Sequence, residues 1–229
     1  MMSIRDFKNS IYSEMAGMTK ALSNPNRLEI LDLLTQGPAP VDYIAKNTDL
    51  SVANASQHLQ VLKNSKLVQA DRRGKQIYYS LSGSDVFQAW CALRRLGFSQ
   101  NAEISRLVDD YRQDRDSLDT ISSEELLERL DSDEVLIIDV RPENEYEQGH
   151  IKHAISLPKS SIQEKLSNLP KEKQIIAYCR GPLCVMADDV IQILKKKGYS
   201  AFRLEKGYPD WSARGLPVNS PHNNKTERV

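Results

Sequence analysis

Two hydrophobic rhythms divide the chain. Up to about residue 112 the apolar positions recur every three to four residues, the period of an amphipathic helix. Leu28, Leu31 and Leu34 line one face of a helix that opens on Asn24-Pro25, an N-cap followed by proline at the first helical position, and stops at Gly37-Pro38. A second helix follows Val41, with Ile44 and Ala45 inward. A third begins after Ser51, with Val52, Ala55, Leu59 and Leu62 on its apolar face. Beyond residue 120 the rhythm changes. Val135–Ile138 and Gln174–Tyr178 are short apolar runs rich in β-branched residues, and they alternate with helix-like segments at 123–131, 160–168 and 184–197. That alternation predicts an α/β domain built on a parallel sheet. Between the two patterns, residues 111–120 are polar and charged with almost nothing to bury. The expected organisation is a first domain over 1–115, a linker over 116–120, an α/β domain over 121–218 and a disordered polar tail over 219–229.

The third helix of the first domain is unusual on its polar side. Ala53, Asn54, Ser56, Gln57, Gln60 and Asn64 are small or amide side chains, not the Lys/Glu mixture of a merely solvated face. Asn and Gln amides can pair in bidentate fashion with adenine in the major groove. Taken alone, this face is equally a soluble surface that happens to be rich in amides. The next segment, Leu67–Leu81, reads as strand, tight turn and strand, with Gly74 supplying the positive φ that the turn requires. Arg72, Arg73 and Lys75 sit at its tip, placed to reach phosphates or the minor groove. Two short helices, an amide-faced helix and a basic hairpin, in that order, make a winged helix-turn-helix.

Residues 51–81, SVANASQHLQVLKNSKLVQADRRGKQIYYSL, resemble the DNA-binding core of the ArsR-type winged-helix repressors, and the resemblance extends over roughly 10–110. It implies a homodimer on double-stranded operator DNA, with the 51–63 helix in the major groove and the wing on the backbone. The DNA-contacting residues carried over are Asn54, Ser56, Gln57, Gln60, Arg72, Arg73 and Lys75. It further implies a dimer interface from flanking helices near 4–20 and 84–112, with Phe87, Trp90, Leu93, Ile104, Leu107 and Val108 as apolar contacts. Many members of that family sense metal through cysteines before the recognition helix. Residues 1–90 contain no cysteine, so no metal site is expected. Cys91, beside Trp90, reads first as a small buried hydrophobe and second as a sensing thiol.

The informative segment of the second domain is Ile175–Cys184. An apolar strand ends at Cys179, a loop Arg180-Gly181-Pro182-Leu183-Cys184 follows, and a helix buries Val185, Ala187, Val190, Ile191 and Leu194. A cysteine at the carboxyl end of a parallel strand faces the crevice where α/β folds bind ligands. Loop amides and a helix N-terminus there favour thiolate over thiol, and Arg180 adds positive charge, so Cys179 is expected to have a lowered pKa and to act as a nucleophile. A cysteine phosphatase requires arginine six residues after its cysteine, and that position is Val185. Sulfur transfer has no such requirement: the thiolate takes a sulfane sulfur and holds it as a persulfide.

Leu136–Pro142, Glu145-Tyr146, Gly149–Ile151 and Ala154-Ile155 resemble the opening motif of rhodanese domains, and Gly207-Tyr208, Trp211 and Gly215–Val218 resemble their closing motif. With Cys179 between them the resemblance spans 120–218. It implies a single rhodanese domain with a five-stranded parallel sheet, Cys179 as catalytic sulfur carrier, a sulfane-sulfur donor such as thiosulfate or a persulfide, and a thiol acceptor, with no cofactor. Lys152-His153 and Lys206 depart from the motifs, where Pro-Gly and Gly are common. Cys184 is either a small residue chosen for size or a redox partner that attacks a Cys179 persulfide. His150 reads as a structural hydrogen-bonding residue rather than a base or, with His153, a metal ligand. Asp139, Arg141 and Glu145 read as framework charges.

Composition narrows the functional classes. The 229 residues carry 31 basic and 31 acidic side chains. Residues 1–100 hold 12 basic and 8 acidic groups while 118–229 hold 16 and 18, a weak asymmetry that fits two domains with different jobs. No apolar run is long enough for a membrane span, and the first residues lack a signal-peptide core. Three cysteines give no disulfide framework, so a reducing cytosol is the expected compartment. The combination predicts a transcriptional regulator, most simply a repressor, that responds to reactive sulfur species. Two alternatives are a thiosulfate-type sulfurtransferase with an independent winged helix, and a metal-responsive repressor.

Overall fold

The computed structural model describes residues 2–113 and 119–220 and divides into two compact units, 1–101 and 102–229. The first unit contains α1 (Ile4–Leu22), α2 (Pro25–Leu34), β1 (Ala39–Pro40), α3 (Val41–Asn47), α4 (Val52–Asn64), β2 (Val68–Arg73), β3 (Gln76–Leu81) and α5 (Ser84–Gln100). The second contains α6 (Ala102–Gln113), β4 (Thr120–Ile121), α7 (Ser123–Glu128), β5 (Val135–Asp139), α8 (Glu143–Gln148), β6 (His150–Ile151), β7 (Ile155–Ser156), α9 (Ile162–Lys165), β8 (Gln174–Tyr178), α10 (Met186–Lys196), β9 (Ala201–Leu204), α11 (Tyr208–Ala213) and β10 (Val218–Asn219).

Local chemistry sets the ends of the helices. The Asn24 side chain accepts from the Arg27 amide at 3.1 Å, with Pro25 at the first helical position. Ser51 does the same for Asn54 at 3.2 Å at the start of α4. The core of the first unit joins Ile30, Leu31 and Leu34 of α2 to Ile44 of α3, Leu59 and Leu62 of α4 and Val68 of β2. Full burial of Leu59 and Leu62 contributes roughly 1.5–3 kcal/mol each and fixes which face of α4 turns outward. Val52, expected on the apolar face, is 46% exposed, because the first helical residue lies beyond the packed stripe. The hairpin turns at Gly74, φ 62°, and a short strand that the hydrophobic pattern does not predict, β1, joins it through Ala39 opposite Tyr79.

Trp90 does not face outward as a dimer contact. It is buried in its own chain, where its indole N–H donates to Asp32 at 2.9 Å and ties α5 to α2. In contrast, α1 buries only Ala21 and leaves Phe7, Ile11, Met15 and Met18 exposed.

The second unit is a five-stranded parallel sheet in the order β4-β9-β8-β5-β7, with helices on both faces. Side chains on the central strand β8 alternate between two cores. Ile175 and Ala177 join Ile138, Val190, Ile191 and Leu194, whereas Ile176 and Tyr178 join Ile137, Ile151 and Trp211. Helices α8 and α11 are too short to announce themselves by periodicity, and α10 starts at Met186 because the cysteine loop runs on to Val185.

The expected linker falls largely on 114–118, outside the described residues; its last residue, Thr120, is already in β4 opposite Arg203. Residues 221–229 of the expected tail also lie outside the described residues, while Asn219 pairs with His150 in the two-stranded β6–β10 sheet. Helix α6, expected beside the first domain, belongs to the second unit.

Candidate active-site loop and nucleic-acid interface

Cys179 stands where the pattern placed it, directly after the central strand β8. The loop it heads is gripped from several sides. Gly207 lies so close that a Cβ there would be 2.3 Å from the Arg180 carbonyl carbon and 2.4 Å from its oxygen and from the Gly181 nitrogen. The Tyr208 amide donates to the Cys179 carbonyl at 3.2 Å. Gly181 takes φ 155°, and its carbonyl accepts the Cys184 amide at 3.0 Å, folding the second cysteine back toward the first. The sequence marks Gly207 only as part of a motif; its role as the seat of the loop emerges in the fold.

The charges around the loop are mutually neutralised. Arg180 does not aim its charge at Cys179. Its guanidinium binds the buried Glu145 carboxylate in bidentate fashion, with contacts from 2.6 to 3.1 Å. Arg141, fully buried, pairs with Asp139 at 2.6 Å and donates to the Gly149 carbonyl at 2.7 Å. These ion pairs brace the surroundings of the loop, and His150 bonds the Tyr146 carbonyl at 3.0 Å and stacks on the Tyr146 ring. His153 instead pairs with Asp131 at 2.9 Å. Asp188, in the first turn of α10, is fully buried between Arg203 and Arg112, each 3.1 Å away. Arg112 of α6 also donates to the Pro182 carbonyl at 3.0 Å, so one guanidinium bridges the loop and the helix behind it. Asp188 and Arg112 carry no signal in the sequence.

Cys179 corrects the expectation of an acidic, open thiol. Only 3% of it is exposed, and its Sγ lies 3.5 Å from the Cys184 carbonyl oxygen and 3.9 Å from that of Gly181. Hydrogen bonding to the Cys184 sulfur, followed by burial, pushes its pKa well above the usual cysteine range, although the Gly181 and Ala187 amides act in the opposite direction. At the half-buried Cys184 the neighbouring Cys179 thiol favours the thiolate, as do the Met186 and Arg180 amides and the Arg180 charge, against the cost of burial. Its pKa falls to about 7. The expected amide cradle is divided between two sulfurs, and it favours a thiolate at Cys184 over one at Cys179. Beside the loop, Pro182, Leu183 and Val185 face Leu107, Val108 and Tyr111 of α6 across a cleft of about 310 Å³.

In the first unit, Gln57 and Gln60 of α4 are exposed, Asn54 and Ser56 are half-buried, and the Gln60 amide bonds Asn64 at 2.7 Å. Arg72, Arg73 and Lys75 are exposed at the hairpin tip. Arg73 pairs with Asp71 at 3.1 Å and lies over the Tyr78 ring, and Arg72 donates to the Gly74 carbonyl at 3.3 Å. Amide face and basic tip thus belong to one packed unit.

Comparison with known proteins agrees with both halves. Residues 24–70 match the model of the bacterial regulatory protein arsR family, and residues 122–214 match the rhodanese-like domain. The HTH-type transcriptional regulator Rv0324 of Mycobacterium tuberculosis is 38% identical over 214 residues, which cover 93% of this chain and 94% of the relative. The chain belongs to the ArsR-type regulators that carry a C-terminal rhodanese domain.

The rhodanese half of this ArsR–rhodanese chain is also similar to a sulfurtransferase of Allochromatium vinosum, 34% identical over 44% of this chain and 94% of the relative. A solved homodimeric winged helix-turn-helix DNA-binding domain from Mycobacterium bovis is 37% identical, covering 44% of this chain and 94% of that one with a TM-score of 0.42. No helix among the described residues is long and apolar enough to cross a membrane.

Proposed function

We propose that this ArsR–rhodanese chain is a cytoplasmic transcriptional repressor whose operator affinity responds to reactive sulfur species taken up at Cys179. The observation that carries the reading is Cys179 at the carboxyl end of the central parallel strand, heading a loop seated on Gly207. In this reading the DNA-binding and dimerisation module is 1–115. Gln57, Gln60, Asn54 and Ser56 meet base edges, while Arg72, Arg73 and Lys75 meet phosphates. The exposed apolar side of α1 supports association with a second copy, since Phe7, Ile11, Met15 and Met18 have little to pack against in their own chain.

The sulfur chemistry begins with thiosulfate or a persulfide. Cys179 attacks the sulfane sulfur, the donor's S–S bond breaks, sulfite (from thiosulfate) or a thiolate (from a persulfide) leaves with the electron pair, and a persulfide forms on Cys179. A thiol acceptor then removes the sulfur. Arg112 supports a route for the signal, because the same side chain holds the Pro182 carbonyl in the loop and belongs to α6, the last helix of the proposed 1–115 module. A loop that changes shape on modification alters what α6 can grip, which gives the two states that coupling between sites requires.

The test uses a duplex selected from a random library by the reduced full-length protein. Affinity is titrated before and after thiosulfate treatment, with mass spectrometry of the same sample. Reaction of thiosulfate at Cys179 should weaken binding in wild type and leave Cys179→Ser unchanged. Complete reaction at Cys179 with unchanged affinity would sink the sensor and leave a sulfurtransferase with an independent winged helix.

A further inference from the structure

We infer that Cys184 is a second working thiol of the loop, which attacks the loaded Cys179 and releases the captured sulfur as sulfide while closing a Cys179–Cys184 disulfide. The inference rests on the proposed role of Cys179 as sulfur carrier. Its basis is placement. The turn closed by the Cys184 amide and the Gly181 carbonyl, 3.0 Å apart, brings the fifth residue after Cys179 back over it. The Cys179 thiol donates to the Cys184 carbonyl oxygen at 3.5 Å, which puts the two cysteines in direct contact. Cys179 is nearly sealed from solvent, whereas Cys184 is half-buried. The neighbouring Cys179 thiol, the loop amides and the Arg180 charge lower the pKa of the Cys184 thiol to about 7, which favours a thiolate there.

The atoms balance through the pair. Cys179 passes its proton to the Cys184 thiolate and attacks the outer sulfur of thiosulfate; the S–S bond of the donor breaks and sulfite leaves with its electron pair. The proton moves from Cys184 to the terminal sulfur of the new persulfide. The Cys184 thiolate then attacks the inner sulfur, that of Cys179. The bond to the outer sulfur breaks and that atom departs as hydrosulfide. Two cysteine sulfurs are oxidised to a disulfide, and one sulfane sulfur is reduced to sulfide. An external thiol reopens the disulfide for the next turnover. Because attacker and target share one loop, the second step is intramolecular, and effective molarities for oriented pairs reach about 10⁵ M and above. A free Cys179 persulfide is therefore short-lived in this chain.

The experiment treats reduced full-length protein with thiosulfate in the absence of other thiols. Released sulfide is measured, and the loop peptide is analysed by mass spectrometry without reduction. Wild type should release about one sulfide per chain in a single burst and yield a loop peptide lacking two hydrogens, the stoichiometry of one exchange. Cys184→Ser should release none and retain an extra sulfur on Cys179. Cys179→Ser should give neither sulfide nor disulfide. A wild-type protein that keeps a stable extra sulfur on Cys179 and releases no sulfide overturns the role of Cys184 and leaves the carrier reading standing. If no sulfur is gained at either cysteine and no sulfide appears, the carrier reading fails as well.

Discussion

Gly207→Ala isolates what the tertiary structure does for the cysteine loop. The backbone at 207 has φ −91°, which any residue adopts, so alanine adds no conformational strain. Its cost is steric. The new methyl would sit 2.3 Å from the Arg180 carbonyl carbon and 2.4 Å from two further backbone atoms. Ordinary carbon contacts are about 3.5–4.0 Å, so the loop must move away by roughly 1 Å. The clash is with main chain on both sides, where no rotamer can relieve it. Overpacking of this kind costs about 1–3 kcal/mol, and rigid neighbours place this site at the upper end. At roughly 3–5 °C per kcal/mol for a unit of this size, its melting temperature should fall by about 10 °C. Sulfur uptake should fall further, by about 10²-fold, because a displacement near 1 Å ruins attack geometry. Differential scanning calorimetry of the full chain measures the first, and initial sulfurtransferase rates well below the melting point measure the second. Gly83→Ala is the control: nothing lies within 4 Å of its added methyl, and φ 171° is extended backbone. A Gly207→Ala protein with wild-type melting and wild-type uptake would refute the idea that the loop is held by this contact.

The other predictions concern the thiols, the bridge and the DNA surface. Alkylation of Cys184 should rise through a midpoint near pH 7, while Cys179 stays unreactive until well above pH 9, as followed by peptide mass spectrometry. The same pair makes stability rise with pH from about 7 to 9, where the folded chain has lost one thiol proton and the unfolded chain has not. Stability then falls above pH 9, where the unfolded chain loses both protons and the folded chain keeps that of Cys179; urea titrations across this range check the sign, and Cys184→Ser should flatten the rise. Arg112→Ala removes hydrogen bonds to Asp188 and to the Pro182 carbonyl, and should destabilise the C-terminal unit by about 1–2 kcal/mol after allowance for partial exposure, with faster amide exchange in the loop. On selected duplex DNA, Lys75→Ala should make the slope of log affinity against log salt shallower by about 2, the share of one neutralised phosphate from each wing of the dimer. Gln57→Ala should leave that slope unchanged and relax sequence preference instead. Equal salt slopes for wild type and Lys75→Ala would remove the wing from the phosphate backbone.

The sequence by itself determined the architecture and the position of the chemistry. Periodic leucines over 28–62, the capped starts at Asn24 and Ser51, and Gly74 in a basic turn define the winged helix through local preferences and a simple inside–outside rule. Val135–Ile138 and Gln174–Tyr178 define the parallel sheet, and Cys179 follows from its place at a strand end. Tertiary structure alone decided the electrostatics. Which sulfur carries the charge depends on where the amides of Arg180, Gly181, Met186 and Ala187 point once the loop has closed, and that direction has no sequence signature. Arg180 lies next to Cys179 in sequence yet spends its charge on Glu145, 35 residues away. Arg112 reaches Asp188 across 76 residues, and Gly207 meets Arg180 only because two strand-end loops converge. Local pattern encodes elements because propensity and burial act along a few turns of chain. Hydrogen-bond direction and thiolate stability act across space, between segments whose meeting the fold has first to arrange.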